Sequence, residues 1–91
     1  MGRVRVRSVA GKTLEVEAEG VGGKISKLII SGDFFADPED AVDRMEKALL
    51  WEELNKERIL KVLEGLRVQL IGVTLEELAD AILEAAGRSD S

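Results

Sequence analysis

The chain has 91 residues, enough for one small domain, and carries 13 lysines and arginines against 18 aspartates and glutamates. It contains no cysteine and no histidine, which excludes thiolate chemistry, disulfides and the usual zinc or iron–sulfur ligands. The net charge of −5 disfavours nucleic acid as a partner, because an acidic surface repels the phosphate backbone.

The apolar segments are too short for a membrane protein, since a helix that spans a bilayer needs about 20 apolar residues. The basic N-terminus, MGRVRVRSV, is not followed by the apolar block of a secretory signal. We therefore expect a cytoplasmic protein without a membrane partner.

The first third of the chain alternates apolar and charged residues, a pattern typical of half-buried strands. Residues 3–9 read RVRVRSV, and residues 13–19 read TLEVEAE. A glycine-rich turn at 20–24 follows, and then a third apolar segment at 25–31. These segments predict three antiparallel strands.

The register of the first two strands can be predicted from charge. With a three-residue loop at 10–12, each arginine of the first strand faces a glutamate of the second on the open side of the sheet. The predicted pairs are Arg7 with Glu15, Arg5 with Glu17, and Arg3 with Glu19. We interpret this ladder as structural, because facing glutamates would neutralise an anion site.

The first helix is predicted to begin at the only proline, with Asp37 as its N-cap and Pro38 in its first turn. The apolar stripe of this helix is Val42, Met45 and Leu49.

Two further helices follow from capping signals. Asn55 is a predicted N-cap, and Gly65 suits the end of that helix. The segment at 67–73 is either a short strand or an extended connector. Thr74 and Glu77 have the spacing of a capping box for the last helix, which Gly87 should end, so that 88–91 form a frayed tail.

These elements predict a single α+β domain over residues 1–91. Its two layers are a three-stranded antiparallel sheet and about three helices that cover one face of the sheet.

No pattern of residues in the chain indicates catalysis. The carboxylates have no companion histidine and lack the spacing of a calcium loop, and the serines have no candidate base except lysine. We therefore predict no catalytic, cofactor-binding or metal-binding residues. Composition and spacing favour a small binding or accessory domain.

Two segments, KISKLIISGDFFADPED at 24–40 and LIGVTLEELADAI at 70–82, resemble the C-terminal accessory domain of lipoate–protein ligases. The resemblance covers residues 11–86 and departs from the family pattern at Leu75, where proline is expected. In many bacterial enzymes this domain follows the catalytic domain, whereas some archaea have it as a separate accessory subunit. The resemblance implies the fold shared with the SufE and NifU scaffold proteins, although this chain lacks their cysteine chemistry.

The resemblance also implies a function. The chain would be the non-catalytic subunit of a heterodimer whose catalytic subunit binds ATP, Mg²⁺ and lipoate. That partner forms lipoyl-adenylate and then transfers lipoyl to a lysine of a lipoyl-carrier protein, which this chain meets only indirectly. The alternative is a general protein-interaction domain unrelated to lipoylation.

The predicted partner interface is Gly32, Asp33, Phe34 and Phe35, in the most family-specific part of the sequence. Successive side chains of an extended segment point in opposite directions, so one phenylalanine plugs the corner and the other, which we expect to be Phe35, faces outward. Gly32 should supply a backbone conformation that a side chain forbids. Asp33 either shapes the turn or pairs with a basic residue of the partner. Trp51 is expected to lie in the core rather than at an interface.

Overall fold

A computed structural model of the chain describes residues 2–89. In chain order the elements are β1 (Gly2–Arg7), β2 (Thr13–Val21), β3 (Lys24–Gly32), β4 (Phe35–Asp37), α1 (Ala41–Leu49), α2 (Lys56–Gly65), β5 (Gln69–Ile71) and α3 (Leu75–Ser89). The first three strands form one antiparallel sheet in the order β1-β2-β3, and β4 pairs with β5 in a second, two-stranded sheet. The α+β class with three strands and three helices is confirmed. The second sheet is an addition that the sequence did not predict.

The core lies between one face of the three-stranded sheet and the helices. Helix α3 packs across β1 and β2, and α1 packs against β3. The largest fully buried side chains are Leu14, Val16, Ile25, Met45, Leu49, Ile59, Leu63, Leu78 and Ile82. Contact between α3 and β1 is so close that a Cβ atom at Gly2 would overlap the carbonyl oxygen of Ala85. None of the helices within residues 2–89 is both long and apolar enough to cross a membrane.

The predicted register of β1 and β2 is wrong by two residues. The observed pairs are Arg3 with Glu17, Arg5 with Glu15, and Arg7 with Thr13. The turn lies one residue earlier than predicted, because the Ser8 N–H donates to the Lys12 carbonyl oxygen at 2.7 Å and leaves residues 9–11 between them. Since a shift of two residues leaves each side chain on the same face, the assignment of the open and buried faces is still correct.

The charge ladder on the open face is therefore only partial. Arg3 lies 3.3 Å from Glu17 and 3.6 Å from Glu15, and among the described residues it is the only β1 arginine with an ion pair to β2. Its side chain is 67% exposed, so these pairs contribute little to stability.

The predicted start of the first helix is also wrong. Asp37 is the last residue of β4 and pairs with Gln69, and Asp40 rather than Asp37 occupies the N-cap position of the helix. Pro38 lies in the turn that follows, where its carbonyl oxygen accepts the N–H of Ala41 at 2.8 Å, and α1 begins at Ala41.

Trp51 does not lie in the core, contrary to the prediction. Its side chain is 60% exposed, and its backbone is left-handed with φ +67°. The Trp51 N–H donates to the Ile25 carbonyl oxygen at 2.6 Å, and the Ile25 N–H donates to Glu52 at 3.0 Å. This backbone pairing with the start of β3 holds the indole outside the core.

The second helix begins as predicted, since the Asn55 side chain accepts the N–H of Arg58 at 3.0 Å, and α2 ends at Gly65. Gly87 does not end the last helix, because α3 continues to Ser89. The Arg88 side chain donates to the Arg3 carbonyl oxygen at 2.9 Å, which ties this end of α3 to β1. Of the predicted frayed tail, residues 90–91 lie outside the described part of the chain.

The capping box at the start of α3 is confirmed, and it also holds the β1–β2 loop. Glu77 accepts the Thr74 N–H at 2.9 Å, and the Thr74 hydroxyl accepts the Glu77 N–H at 3.0 Å. The second carboxylate oxygen of Glu77 accepts the N–H of Val9 at 2.9 Å. The hydrogen bond from Val9, followed by that from Thr74, lowers the pKa of Glu77 below its ordinary value of 4.5.

We expect Glu77→Gln to reduce the dependence of stability on pH. Because the folded-state pKa of Glu77 is lowered, its ionised form stabilises the fold above the ordinary value of 4.5, and this contribution is lost as pH falls through the folded-state pKa. Urea denaturation between about pH 7 and pH 3 should show the wild-type and variant stabilities converging in acid. Glu64→Gln removes an exposed carboxylate from α2 and is the matched control. If the difference in the free energy of unfolding between the wild type and Glu77→Gln stays constant across this range, the ionisation of Glu77 does not contribute to the pH dependence.

Candidate docking site

The four predicted interface residues lie at the corner where β3 ends and β4 begins. Gly32 is the last residue of β3 and has φ +150°. A Cβ atom there would overlap the Thr13 carbonyl oxygen and lie 3.0 Å from the ring of Phe34. Gly32 therefore allows the backbone and the Phe34 ring to approach each other, which is a structural role.

Asp33 joins this corner to the start of β2. Its N–H donates to the Thr13 carbonyl oxygen at 3.2 Å, and its carboxylate accepts the N–H of Thr13 in return. Of the two roles considered for Asp33, the local one is present in the structure. The pair of hydrogen bonds fixes the direction in which the chain leaves β3.

The two phenylalanines face opposite ways. Phe34 is half-buried and packs against the hydrophobic core. Phe35 is 70% exposed, which is the orientation expected from the sequence. One side chain thus closes the corner, and the other presents an aromatic ring to the solvent.

Ile71 extends the apolar surface around Phe35. It lies directly opposite Phe35 in the β4–β5 pair and is 57% exposed. Side chains at opposed positions of an antiparallel pair have Cβ atoms about 5 Å apart, so the two form one continuous feature. We call this feature the Phe35–Ile71 ridge.

Sequence reasoning missed Ile71 because the pairing of β4 with β5 was not predicted. Each strand is three residues long and follows a different element of the fold. The available signal was the extended, apolar segment at 67–73, for which a strand was one of two interpretations. Nothing in that segment identifies Phe35 as its neighbour.

Acidic residues flank Phe35 in the chain, and we call them the acidic rim of the ridge. Four exposed carboxylates lie in the same stretch of chain as Phe35: Asp33, Asp37, Glu39 and Asp40. An exposed aromatic and aliphatic pair with an acidic rim is suited to a protein surface that offers an apolar pocket among basic side chains. Within residues 2–89, no group of three or more acidic side chains is placed to hold a metal ion.

Comparison with known proteins identifies the family of the chain. The chain is similar to a chain in the structure of an archaeal lipoylation system, a bi-partite lipoate protein ligase and its E2 lipoyl domain from Thermoplasma acidophilum. The TM-score is 0.71 at 26% sequence identity, and the match covers 87% of this chain and 94% of the other. No curated protein matches the sequence. The family model described as bacterial lipoate protein ligase C-terminus matches residues 5–82, and the chain therefore belongs to the family of lipoate protein ligase C-terminal domains.

Proposed function

We propose that this chain is the accessory subunit of a two-component lipoate–protein ligase. The observation that carries the proposal is the match over 94% of a chain from a bi-partite ligase, together with membership of the ligase C-terminal family. The protein docks on a separate catalytic subunit and enables that subunit to activate lipoate with ATP.

The two subunits divide the work. The catalytic subunit binds ATP, Mg²⁺ and lipoate, forms lipoyl-adenylate and transfers lipoyl to a lysine of a lipoyl-carrier protein. The accessory subunit contributes binding energy, which favours the conformation of the catalytic subunit that is competent for adenylation. Closure around the adenylate then excludes water, which would otherwise hydrolyse it.

The Phe35–Ile71 ridge is the surface that we propose for docking. Burial of an exposed aromatic side chain and its aliphatic neighbour removes apolar surface from water, and aromatic residues are enriched among interface hot spots. The acidic rim selects a catalytic subunit with a basic patch and speeds the encounter between the two proteins. Phe34 and Gly32 support the ridge from beneath and make no direct contact with the partner.

The first test is the activation step itself. We expect lipoate-dependent ATP–pyrophosphate exchange by the catalytic subunit to rise by at least about tenfold when this chain is added, since docking stabilises the competent conformation by 1.4 kcal/mol or more on that scale. Transfer from pre-formed lipoyl-adenylate should depend on this chain much less. Equal exchange rates with and without the chain would overturn the proposed function.

The second test concerns the ridge. Phe35→Ala should weaken the complex with the catalytic subunit at least about tenfold, measured by isothermal titration calorimetry, because the truncated side chain no longer fills its pocket. The isolated variant should keep its thermal unfolding temperature, since a 70% exposed side chain contributes little to folding.

Trp51→Ala is the matched control for Phe35→Ala. Trp51 is the other strongly exposed aromatic residue, at 60%, and it lies near the start of β3, whereas Phe35 follows the end of β3. We expect Trp51→Ala to bind as the wild type does. Loss of binding in the Trp51 variant alone would place the interface at the opposite end of the domain.

A further inference from the structure

The outer edge of β1 carries backbone groups that point away from the sheet. The Ser8 N–H donates to the Lys12 carbonyl oxygen at 2.7 Å and continues the β1–β2 register, so the hydrogen-bonded pairs fall at the even-numbered residues of β1. The N–H and C=O groups of Arg3, Arg5 and Arg7 therefore face outward. The Arg3 carbonyl oxygen accepts a side-chain hydrogen bond at 2.9 Å, whereas the outward groups of Arg5 and Arg7 have no partner in the described part of the chain.

The opposite edge of the sheet, along β3, is occupied within the chain. The Ile30 N–H donates to the Glu46 carboxylate at 2.8 Å. Near the start of β3, the Ile25 N–H donates to the Glu52 carbonyl oxygen at 3.0 Å, and the Ile25 carbonyl oxygen accepts the Trp51 N–H at 2.6 Å. An additional strand would have to break these bonds at β3, whereas it could pair with the second half of β1 directly.

A second copy of this chain does not suit the β1 edge. In the antiparallel pair that a two-fold dimer forms, the outward-pointing residues of one strand face the outward-pointing residues of the other. Every register of two such β1 strands places an arginine opposite an arginine on the open face of the sheet. Like charges directly opposite each other destabilise a strand pair. Pairing of β1 with β3 of another copy is blocked by the bonds at the β3 edge. The edge is therefore suited to a different protein.

Charge on the open face of the sheet defines one side of the segment that fits this edge. The side chains of Arg5 and Arg7 are exposed there, and neither has an ion pair within residues 2–89. Opposite charges at facing positions of neighbouring strands stabilise the pair. The residues of an added strand that face Arg5 and Arg7 are therefore expected to be acidic.

The other side of the same segment would lie against α3. A cavity of about 190 Å³ beside β1 is lined by Val6, Arg7, Glu77, Asp80, Ala81 and Glu84. Three carboxylates and one arginine make this cavity acidic. Asp80 and Glu84 each contact one cation already, Lys56 at 3.0 Å and Arg88 at 3.1 Å, but their side chains remain 60% and 52% exposed. A lysine or arginine of the added strand can cover Val6 with its aliphatic stem and reach these carboxylates with its charged end.

We propose that an extended segment of the catalytic subunit adds to β1 as a fourth strand of the sheet, with an acidic, a basic and an acidic residue opposite Arg7, Val6 and Arg5. The inference rests on the proposed function, which gives this chain one direct partner, and deepens it by naming the mode of contact. In such strand addition the backbone hydrogen bonds supply affinity, and the alternating side chains supply specificity. A sheet shared by both subunits fixes their relative orientation.

The first test measures amide hydrogen exchange by NMR in the isolated chain and in its complex with the catalytic subunit. The amides of Arg5 and Arg7 should exchange at least about tenfold more slowly in the complex, because they gain acceptors there. The amides of Val4 and Val6 donate to β2 and should exchange slowly in both states, which makes them the internal control. If the complex forms while the exchange of Arg5 and Arg7 is unchanged, the inference is wrong and the proposed function stands. If no complex forms, the proposed function itself fails.

Two matched variants test the charge pattern. Arg5→Gln and Lys61→Gln each remove one positive charge from an exposed side chain, the first on β1 and the second on α2. Titration calorimetry should show binding of the catalytic subunit about threefold weaker for Arg5→Gln, which loses the facing carboxylate, and close to wild type for Lys61→Gln. Equal affinity of the two variants would overturn the acidic pattern of the segment.

Arg5→Pro tests the backbone hydrogen bonds of the added strand. Proline removes the outward N–H of this position and leaves the bonds of Val4 and Val6 to β2 intact, since proline is tolerated on the open side of an edge strand. Both variants at this position lose the charge, but only the proline variant loses the donor, so it should bind about fivefold more weakly than Arg5→Gln. Equal binding of the two would overturn strand addition. If the proline instead separates β1 from β2, seen as fast exchange of Val4 and Val6, the exchange test on the wild-type complex decides.

Discussion

The attachment of three connections at one end of the sheet is the constraint on which the rest of the structure depends. The β1–β2 loop is tied to the β5–α3 connection by Ser8, and to α3 by the carboxylate of Glu77. The corner after β3 is tied to the start of β2 by the paired hydrogen bonds between Asp33 and Thr13. These bonds connect residues that are far apart in the chain, so they form only in the folded protein and hold this end of the domain rigid.

The domain has three aromatic side chains and exposes two of them, Phe35 at this end and Trp51 near the start of β3. Phe34 closes the corner, and the short β4–β5 pairing then directs Phe35 and Ile71 outward. Because the backbone is already ordered, covering the ridge costs less conformational entropy than covering a mobile loop would. An accessory subunit that acts by favouring one state of its partner needs such a preorganised surface, since flexible contacts would adapt to both states.

The helix caps and the strand periodicity could be predicted from the sequence, because they depend on residues that are neighbours in the chain. The alternation in β1 and β2, the Asn55 cap and the box formed by Thr74 and Glu77 are local, and the structure confirms them. The predicted helix ends were wrong where a contact with a residue distant in the chain determines the local structure. Asp37 resembles a helix cap in the sequence, yet Gln69 draws it into a strand, and Gly87 resembles a helix end, yet Arg88 holds the helix to β1.

The sequence by itself determined the α+β class, the buried faces of the strands and the family, because hydrophobic alternation, capping and the GDFF motif are carried by contiguous residues. Only the tertiary structure decided the composition of the candidate docking surface. Ile71 is an ordinary apolar residue in the sequence, and it joins Phe35 only because β4 pairs with β5 in the folded chain. Tertiary structure also decided the position of Trp51. Its hydrophobicity predicted a place in the core, but the backbone pairing with Ile25 keeps its indole exposed.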